Sequence, residues 1–448
     1  MNILVVNGSP KGKYSITLQT INYLKLLYPD YSFDVLDAGQ RIKALERDFT
    51  PAIQAVEKAD LIIFSYPVYT FIAPYQLHRF IELLKEHKLS FEGKFATQLS
   101  TSKHFYDVTA HRYIQDNCGD LGLKYIRGLS ADMDDLTTDK GQKEAKDFFE
   151  YVLFCVKNNI WEKNTFEYTE PKLLPVTPAE KDSSEKTGDV VILTNCDEND
   201  AQLKSMINRF SVKFNRKTRV INIREYPFKG GCLGCFNCAV SGKCVYKDGF
   251  DEFLRNTVQS AQAIVIAFSI KDHSMGASFK LYDDRQFCNG HRTVTMGMPM
   301  AYLISGNYSK EFNLQMIVEG RAQVGGNFLA GVATDEFDPD NEIDALAASL
   351  EYALESGYVP PQNFYGIGGM KIFRDLIWTM QGMMKADHKF YKKHGQYDFP
   401  QKQWPRMLAM YLVGGMLSSD KIKSKMGNMM NEGMLMPYKK VLDKLEKK

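Results

Sequence analysis

The chain has 448 residues, a quarter of them charged, and its basic and acidic side chains nearly cancel at a formal net charge of +2. This length predicts two domains, because it exceeds what one ordinary hydrophobic core supports. The balanced charge excludes a strongly basic nucleic-acid-binding protein. With no signal-peptide start and no apolar run long enough to cross a bilayer, the sequence predicts a cytoplasmic protein without a membrane span.

Residues 2–157 alternate short apolar runs with amphipathic segments. Each apolar run has the length of a buried strand, and each segment that follows it has helical periodicity. This order predicts an α/β fold, a doubly wound parallel sheet with helices on both faces. We assign it to one domain, residues 1–158.

The turn after the first predicted strand, NGSPKGKYSIT at 7–17, leads directly into a helix. Free backbone N–H groups at a helix N-terminus make an anion site, usually for phosphate. The spacing of Gly8 and Gly12 excludes a nucleotide P-loop, and no G-x-G-x-x-G follows. The hydroxyl side chains here, which suit a phosphate monoester, are Ser9, Ser15 and Thr17. The alternative is a plain turn in which Ser15 caps the helix.

Two later loops also follow predicted strands: SYPVYTFIAPYQLHRF at 65–80 and STSKHFYDVTAH at 100–111. Because ligands of open α/β sheets bind at the carboxyl ends of the strands, we expect the three loops to converge. The loop at 65–80 can offer backbone amides and an aromatic face to a flat ring.

Together, these three loops resemble the FMN-binding loops of the flavodoxin-like NAD(P)H-dependent FMN reductases, a family that includes iron–sulfur flavoproteins and quinone reductases. The resemblance covers residues 1 to about 155. It implies an FMN phosphate bound by Ser9, Pro10, Lys11, Ser15, Ile16 and Thr17. It also implies an isoalloxazine ring lying along Pro67, Val68, Tyr69, Thr70 and Phe71 and near Thr101, Ser102 and His104.

One residue departs from the pattern of the family, and two residues are candidates for catalysis. Relatives commonly have Asn at the position of Ile16, so a backbone contact would remain there and a side-chain contact would be lost. His104 and Tyr69 lie at the expected edge of the ring and are the candidate catalytic residues. A histidine in a loop is also often a plain surface or hydrogen-bonding residue.

The alternation of apolar and amphipathic segments restarts after residues 159–188, which are rich in Pro, Glu, Lys, Ser and Thr and are predicted to be a linker. We predict a duplicated flavodoxin-like domain over 189–360. Its first turn carries Asp197, Glu198 and Asp200, whose charges would repel a phosphate. The counterpart of the Pro67–Phe71 stretch also lacks Pro-Val-Tyr. We therefore predict that the flavin site of this second domain is degenerate.

Four cysteines crowd into this domain as C-x2-C-x2-C-x5-C, at Cys232, Cys235, Cys238 and Cys244. In a reducing compartment such crowding favours a metal site over disulfides. Structural zinc usually joins two separated pairs, whereas three cysteines at steps of three with a nearby fourth are closer to [4Fe–4S] ligation. The run resembles the cysteine motif of the iron–sulfur flavoproteins, which implies a [4Fe–4S] cluster. Zinc and metal-free thiols are the alternatives.

Residues 361–448 hold twelve of the 20 methionines and lose the strand pattern. They predict a helical extension whose methionines fill irregular packing or, less commonly, form a binding surface.

The leading functional hypothesis is an FMN-dependent oxidoreductase that takes electrons from NAD(P)H or ferredoxin. The acceptor would be a quinone, a nitro compound or a protein, and a [4Fe–4S] cluster would relay the electrons. A homodimer is compatible with this hypothesis. The alternatives are a non-enzymatic flavin and thiol electron carrier or redox sensor, and a structural zinc protein.

Overall fold

The computed structural model describes residues 1–163, 172–180, 185–399, 403–417 and 427–446. Parts of the predicted linker and of the predicted extension lie outside these residues. The chain divides into two compact units, Met1–Tyr391 and Lys392–Lys448. Among the described residues, no helix has the length and apolarity to cross a membrane.

The first unit begins with a parallel sheet of order β2-β1-β3-β4-β5. Its strands are β1 (Asn2–Asn7), β2 (Ser32–Leu36), β3 (Leu61–Pro67), β4 (Phe95–Ser102), β5 (Lys124–Tyr125) and β6 (Leu129–Asp132). Its helices are α1 (Ile16–Leu27), α2 (Ala38–Leu45), α3 (Thr50–Lys58), α4 (Tyr75–Glu86), α5 (Asp107–Asp120) and α6 (Asp139–Asn158). This is the doubly wound order predicted from the sequence.

The structure differs from the predicted elements in two places. Helix α2 is additional, and its Gly39 packs directly on the backbone of the turn after β1. The fifth apolar run, LKYIRGLS at 123–130, predicts a single strand but forms two short strands, β5 and β6, and both pair with β4.

A second parallel sheet has the same order, β11-β10-β9-β7-β8. Its strands are β7 (Val190–Thr194), β8 (Thr218–Asn222), β9 (Ala263–Ser269), β10 (Pro299–Ser305) and β11 (Phe328–Thr334). The helices around it are α7 (Ala201–Lys213), α8 (Asn237–Ser241), α9 (Phe250–Phe253), α10 (Gly276–Arg285), α11 (Phe312–Gly325) and α12 (Pro339–Ser356). The prediction of two doubly wound α/β sheets is confirmed.

Further helices follow the second sheet, as predicted: α13 (Phe364–Thr379), α14 (Lys385–Lys393), α15 (Trp404–Leu417) and α16 (Gly427–Glu446). Met370 in α13 packs against the core of the first sheet, and Met384 is fully buried. In the unit Lys392–Lys448, Met410 and Met436 are exposed instead. The domain boundaries at 158, 188 and 360 stay a prediction.

The part of the chain around the first sheet and the part around the second sheet are called here the first and second halves. Helices α4 and α10 occupy equivalent positions in these halves and pack on each other. A carboxylate of each helix accepts a hydrogen bond from a backbone N–H group in the first turn of the other helix. The Tyr75 N–H donates to Asp284 Oδ2 at 2.7 Å, and the Ala277 N–H donates to Glu82 Oε1 at 2.7 Å. Within each helix the donor and the acceptor are seven residues apart, Tyr75 and Glu82 in α4 and Ala277 and Asp284 in α10, so the two halves meet as a pseudo-symmetric pair. The core of the first sheet extends into the second half through Ala277.

His273 joins the two halves at the edge of this contact. Its Nε2 lies 3.0 Å from Asp120 Oδ2 in α5, and its Nδ1 lies 3.0 Å from Glu311 Oε1 before α11. Burial alone would lower the pKa of His273, but the hydrogen bonds and charges of these two carboxylates outweigh it and raise the pKa to about 10. The imidazolium is therefore the folded form at neutral pH.

We expect His273 to make stability depend on pH. Because its pKa is higher in the folded chain than in the unfolded one, its contribution is full below about pH 6.5 and is lost as the pH rises towards 10. The difference in unfolding free energy between the wild type and His273→Gln should therefore shrink across this range in urea titrations. A difference that stays constant from pH 6 to about 10 would contradict the ion pairing.

Candidate functional site

A cavity of about 410 Å³ lies at the carboxyl ends of β1, β3 and β4, where they face the second half. It is lined by every predicted flavin contact except Pro10 and His104. These lining residues are Ser9, Lys11, Ser15, Ile16, Thr17, Pro67, Val68, Tyr69, Thr70, Phe71, Thr101 and Ser102. The three loops therefore converge, and the four cysteines Cys232, Cys235, Cys238 and Cys244 line the same cavity.

The turn after β1 presents hydroxyl and backbone donors at one end of the cavity. Ser9 Oγ accepts from the Lys11 N–H at 3.3 Å and Ser15 Oγ accepts from the Leu18 N–H at 3.4 Å. Accepting these bonds leaves both hydroxyl protons available to a ligand. The N–H groups of Ile16 and Thr17, in the first turn of α1, have no intrahelical acceptor. Ser15 is thus the helix cap, and the same turn has the donors that an anion needs.

Gly39 of α2 packs directly against the backbone of this turn. A Cβ at Gly39 would lie 2.4 Å from the carbonyl oxygen of Gly8 and 2.5 Å from the carbonyl carbon of Ser9. Only a residue without a side chain lets α2 approach so closely. The position of the turn after β1 therefore depends on this glycine.

The stretch after β3 makes a tight turn that is closed by two backbone hydrogen bonds between Tyr69 and Ile72, of 2.8 and 3.1 Å. Thr70 and Phe71 inside it have φ angles of 40° and 75°. Such left-handed conformations are costly for residues with a side chain and persist only when surrounding groups hold them.

The second half supplies those groups through buried charges on α10 and α11. Asp284 Oδ1 accepts from Thr70 Oγ1 at 2.8 Å, and Lys280 Nζ donates to the Tyr69 carbonyl at 2.9 Å. Lys280 also pairs with Asp284, and Arg321 donates to the Thr70 carbonyl at 3.2 Å. We call these residues, with Asp283, the charged clamp.

Every charge in the charged clamp is paired. Burial would raise the pKa of Asp283, but Arg321 and Lys280 outweigh it and lower the pKa to about 2. Burial also raises the pKa of Asp284, and the neighbouring Asp283 adds to the rise although Lys280 opposes it. Removing one partner from such a buried network leaves an uncompensated charge, which is strongly destabilising.

The third loop, after β4, is tied to the opening turn by a 2.6 Å hydrogen bond between the hydroxyls of Thr17 and Thr101. His104 lies beside the cavity rather than in its wall, half exposed, with Nδ1 2.8 Å from Asp107 Oδ2. Its catalytic role stays a prediction. Tyr69, the other candidate, lines the cavity, and burial together with the nearby Cys232 raises the pKa of its phenol well above the usual value.

The cysteine run lies over the loop that contains Tyr69. Gly234, with a φ of 60°, comes so close that a Cβ would lie 2.0 Å from the Tyr69 hydroxyl, and Lys11 Nζ lies 6.0 Å from the ring centre of Phe236. The Gly234 N–H donates to Cys232 Sγ at 3.4 Å. The run therefore forms part of the cavity wall that faces the flavin loops.

The four thiols do not share one environment. Burial raises the pKa of Cys232, and burial, Asp387 and Cys235 raise the pKa of Cys238 to about 11. Cys244 Sγ lies 3.9 Å from the guanidinium of Arg285, which pairs with Asp248. Within the described residues, which include the whole run, no three His, Cys, Asp or Glu side chains are placed to hold a metal ion.

Residues 1–112 match the family model for the flavodoxin-like fold. The N-terminal half is flavodoxin-like. The match confirms the resemblance predicted from the three loops. No functionally curated protein matches the chain.

Solved structures that are similar to part of this chain include two reductases. An FMN-dependent NADH-azoreductase from Bacillus anthracis, in complex with FMN, is 12% identical and covers 34% of this chain and 98% of its own, with a TM-score of 0.28. An NAD(P)H:quinone oxidoreductase from Methanothermobacter marburgensis is 13% identical and covers 40% of this chain and 100% of its own, with a TM-score of 0.29. Similarity at this level does not transfer an activity.

The equivalent edge of the second half is filled by its own charges. Asp197, in the turn after β7, lies 3.5 Å from Lys271 Nζ and 3.6 Å from the Arg224 guanidinium. Asp200 Oδ2 accepts from the Asp197 N–H at 3.1 Å. Carboxylates therefore stand where the first half has hydroxyls, and the degenerate flavin site stays a prediction.

Apart from the four cysteines, sequence analysis missed the residues that the second half contributes to the cavity. These include Asp283 and Arg321 of the charged clamp, and also Phe287, Cys288, His291, Arg292 and, from α13, Phe373. The available signal was the segment ASFKLYDDRQF, in which four charged residues stand among aromatic residues on one short helix. We interpreted that segment as a lost flavin loop, and its role in supporting the other half depends on a contact between distant parts of the chain.

Proposed function

We propose that the chain binds FMN in this cavity and is an FMN-dependent oxidoreductase. The observation that carries the proposal is the combination, in one cavity, of a helix N-terminus with free hydroxyl donors and an aromatic loop held in a strained conformation. A volume of about 410 Å³ lies within the range of roughly 300–1,000 Å³ typical of ligand pockets.

The chain's residues have distinct roles in this proposal. Ser9, Ser15 and the N–H groups of Ile16 and Thr17 would bind the phosphate, and the positive end of the α1 dipole would favour its charge. The Pro67–Phe71 stretch would orient the ring. FMN supplies the redox chemistry when bound, accepting electrons from NAD(P)H or ferredoxin and yielding them to a quinone, nitro compound or protein.

The proposal does not include the [4Fe–4S] relay predicted from the cysteine spacing. Among the described residues, which include all four cysteines, no three ligating side chains are placed to hold a metal ion, and the Cys244 sulfur lies 3.9 Å from the Arg285 guanidinium. Iron, sulfide and zinc analysis of anaerobically purified protein tests the cluster and zinc alternatives directly.

The first test of the proposal is FMN binding, with Ser15→Ala as the variant. Loss of one hydrogen bond to a charged phosphate should weaken binding by about tenfold to a hundredfold, since such bonds contribute ~1.5–3 kcal/mol. Fluorescence titration of flavin-free protein with FMN measures the change.

Thr138→Ala is the matched control for this test. Thr138 Oγ1 caps α6 by accepting from the Gly141 N–H at 3.0 Å, away from the cavity. Both variants lose a helix cap worth ~1 kcal/mol, but only Ser15→Ala should weaken FMN binding. Equal FMN affinities in the two variants would mean that Ser15 is a cap and nothing more.

Anaerobic mixing of the FMN-loaded protein with NADH or NADPH distinguishes an enzyme from an electron carrier. Bleaching of the flavin within seconds supports the oxidoreductase. Bleaching only by a reduced protein such as ferredoxin would favour the carrier.

A further inference from the structure

Three of the four cysteines lie on residues 232–238, a segment that packs against the loop proposed to orient the flavin ring. Gly234, between Cys232 and Cys235, leaves no room for a Cβ beside the Tyr69 hydroxyl. Cys232, Cys235 and Cys238 all line the cavity with Tyr69. The structure therefore brings a cluster of thiols to the wall of the proposed flavin pocket.

The spacing of these three residues makes two overlapping Cys-x-x-Cys motifs that share Cys235. Such motifs form and break disulfides readily in redox proteins. Cys235 is exposed, whereas Cys232 and Cys238 are partly covered, so one thiol is open to oxidants and its two neighbours are sheltered. All three are free thiols in this structure and are not arranged around a metal.

Cys244 does not belong to this group. Its sulfur lies against Arg285, which is itself held by Asp248 and by the ring of Tyr246, 4.5 Å away. Cys244 thus differs from the other three cysteines in its sequence spacing and in the guanidinium beside its sulfur.

We propose that a hydroperoxide oxidises Cys235 together with Cys232 or Cys238 to a disulfide; the two thiols lose two electrons and two protons, and the hydroperoxide leaves as an alcohol and water. This disulfide then accepts electrons from the reduced flavin of the same cavity. In this step the S–S bond breaks, and each sulfur gains one electron and one proton to become a thiol. The reduced flavin is oxidised by two electrons, and NAD(P)H can reduce it again. This inference rests on the proposed function, because the flavin supplies the electrons.

The experiment uses the full chain loaded with FMN under anaerobic conditions. The thiol oxidant diamide is added and removed, and free cysteines are alkylated and located by peptide mass spectrometry. The flavin is then reduced by illumination with EDTA, which needs no pyridine nucleotide, and the cysteines are located again.

We expect oxidation to remove two thiols per chain, one of them Cys235, and flavin reduction to restore both. Flavin-free protein under the same illumination should regain neither. Cys235→Ser should lose the reducible pair while its flavin still bleaches, and Cys244→Ser should behave as the wild type. Cys235 is exposed, so its replacement by serine does not threaten folding.

Several outcomes would overturn the inference. A disulfide that persists while the flavin bleaches, a disulfide that does not involve Cys235, or iron bound by these cysteines in freshly purified protein would each do so. Failure to bind FMN would remove the proposed function as well, so the two failures are distinguishable.

Discussion

Asp284→Asn is expected to weaken FMN binding about tenfold or more, although Asp284 itself lies outside the cavity wall. The carboxylate binds Thr70 Oγ1, the Tyr75 N–H and Lys280 at once, and it is fully buried. An amide keeps the shape but has no charge and one accepting oxygen fewer. Thr70 and Phe71 should then relax from their left-handed conformations, and the loop that orients the ring would lose its preorganised geometry.

Glu82→Gln is the matched control, because Glu82 makes the equivalent contact in the opposite direction, to the Ala277 N–H. Urea unfolding of flavin-free protein should show a loss of stability in both variants, ~3 kcal/mol for Asp284→Asn, in which Asp283 is the remaining carboxylate partner of Lys280. FMN titration should show a loss of affinity for Asp284→Asn alone. If both variants lose the same affinity, the charged clamp stabilises the fold without positioning the flavin loop.

Gly39→Ala is expected to weaken FMN binding by more than about a hundredfold, or ~2.7 kcal/mol. The added Cβ would meet the backbone of Gly8 and Ser9, and backbone cannot rotate aside as a flexible side chain can. The turn with the phosphate donors would have to move. Alanine is otherwise the better helix former, by ~1 kcal/mol, so local helix stability should not fall.

Gly368→Ala controls for the gain of a methyl group inside a helix, because a Cβ there would lie 4.0 Å from its nearest neighbour, Phe364. It should bind FMN as the wild type does. Isothermal titration of both variants with FMN measures the difference. Near-normal affinity in Gly39→Ala would show that the turn is not the phosphate site.

The fold and the loops of the first half could be predicted because their signals are local. Buried strands are short apolar runs, and each loop at the carboxyl edge of the sheet follows such a run directly. Helix α2 was missed because Gly39 comes in its first turn, where glycine ordinarily indicates a loop. The close packing that requires this glycine appears only in three dimensions.

The charged clamp could not be predicted for a different reason. Lys280, Asp283 and Asp284 look like a solvated helix face, since charges are rarely buried without partners. Their partners, Arg321 and Thr70, are distant in sequence. The cysteine run was predicted from spacing alone, which indicates possible chemistry but not that Gly234 would bring the thiols beside Tyr69.

The pairing of α4 with α10 inside one chain has a consequence for how the two halves can vary. In a symmetric dimer, each substitution appears at both edges of the interface. Here Lys280 in α10 and His78 in α4 occupy equivalent positions but can be substituted independently. One half can therefore keep the proposed ligand-binding loops while the other half only supports those loops. The covalent connection also makes the effective concentration of one half around the other independent of dilution. The support of the loop at Tyr69 is therefore a property of each single molecule and persists at any protein concentration.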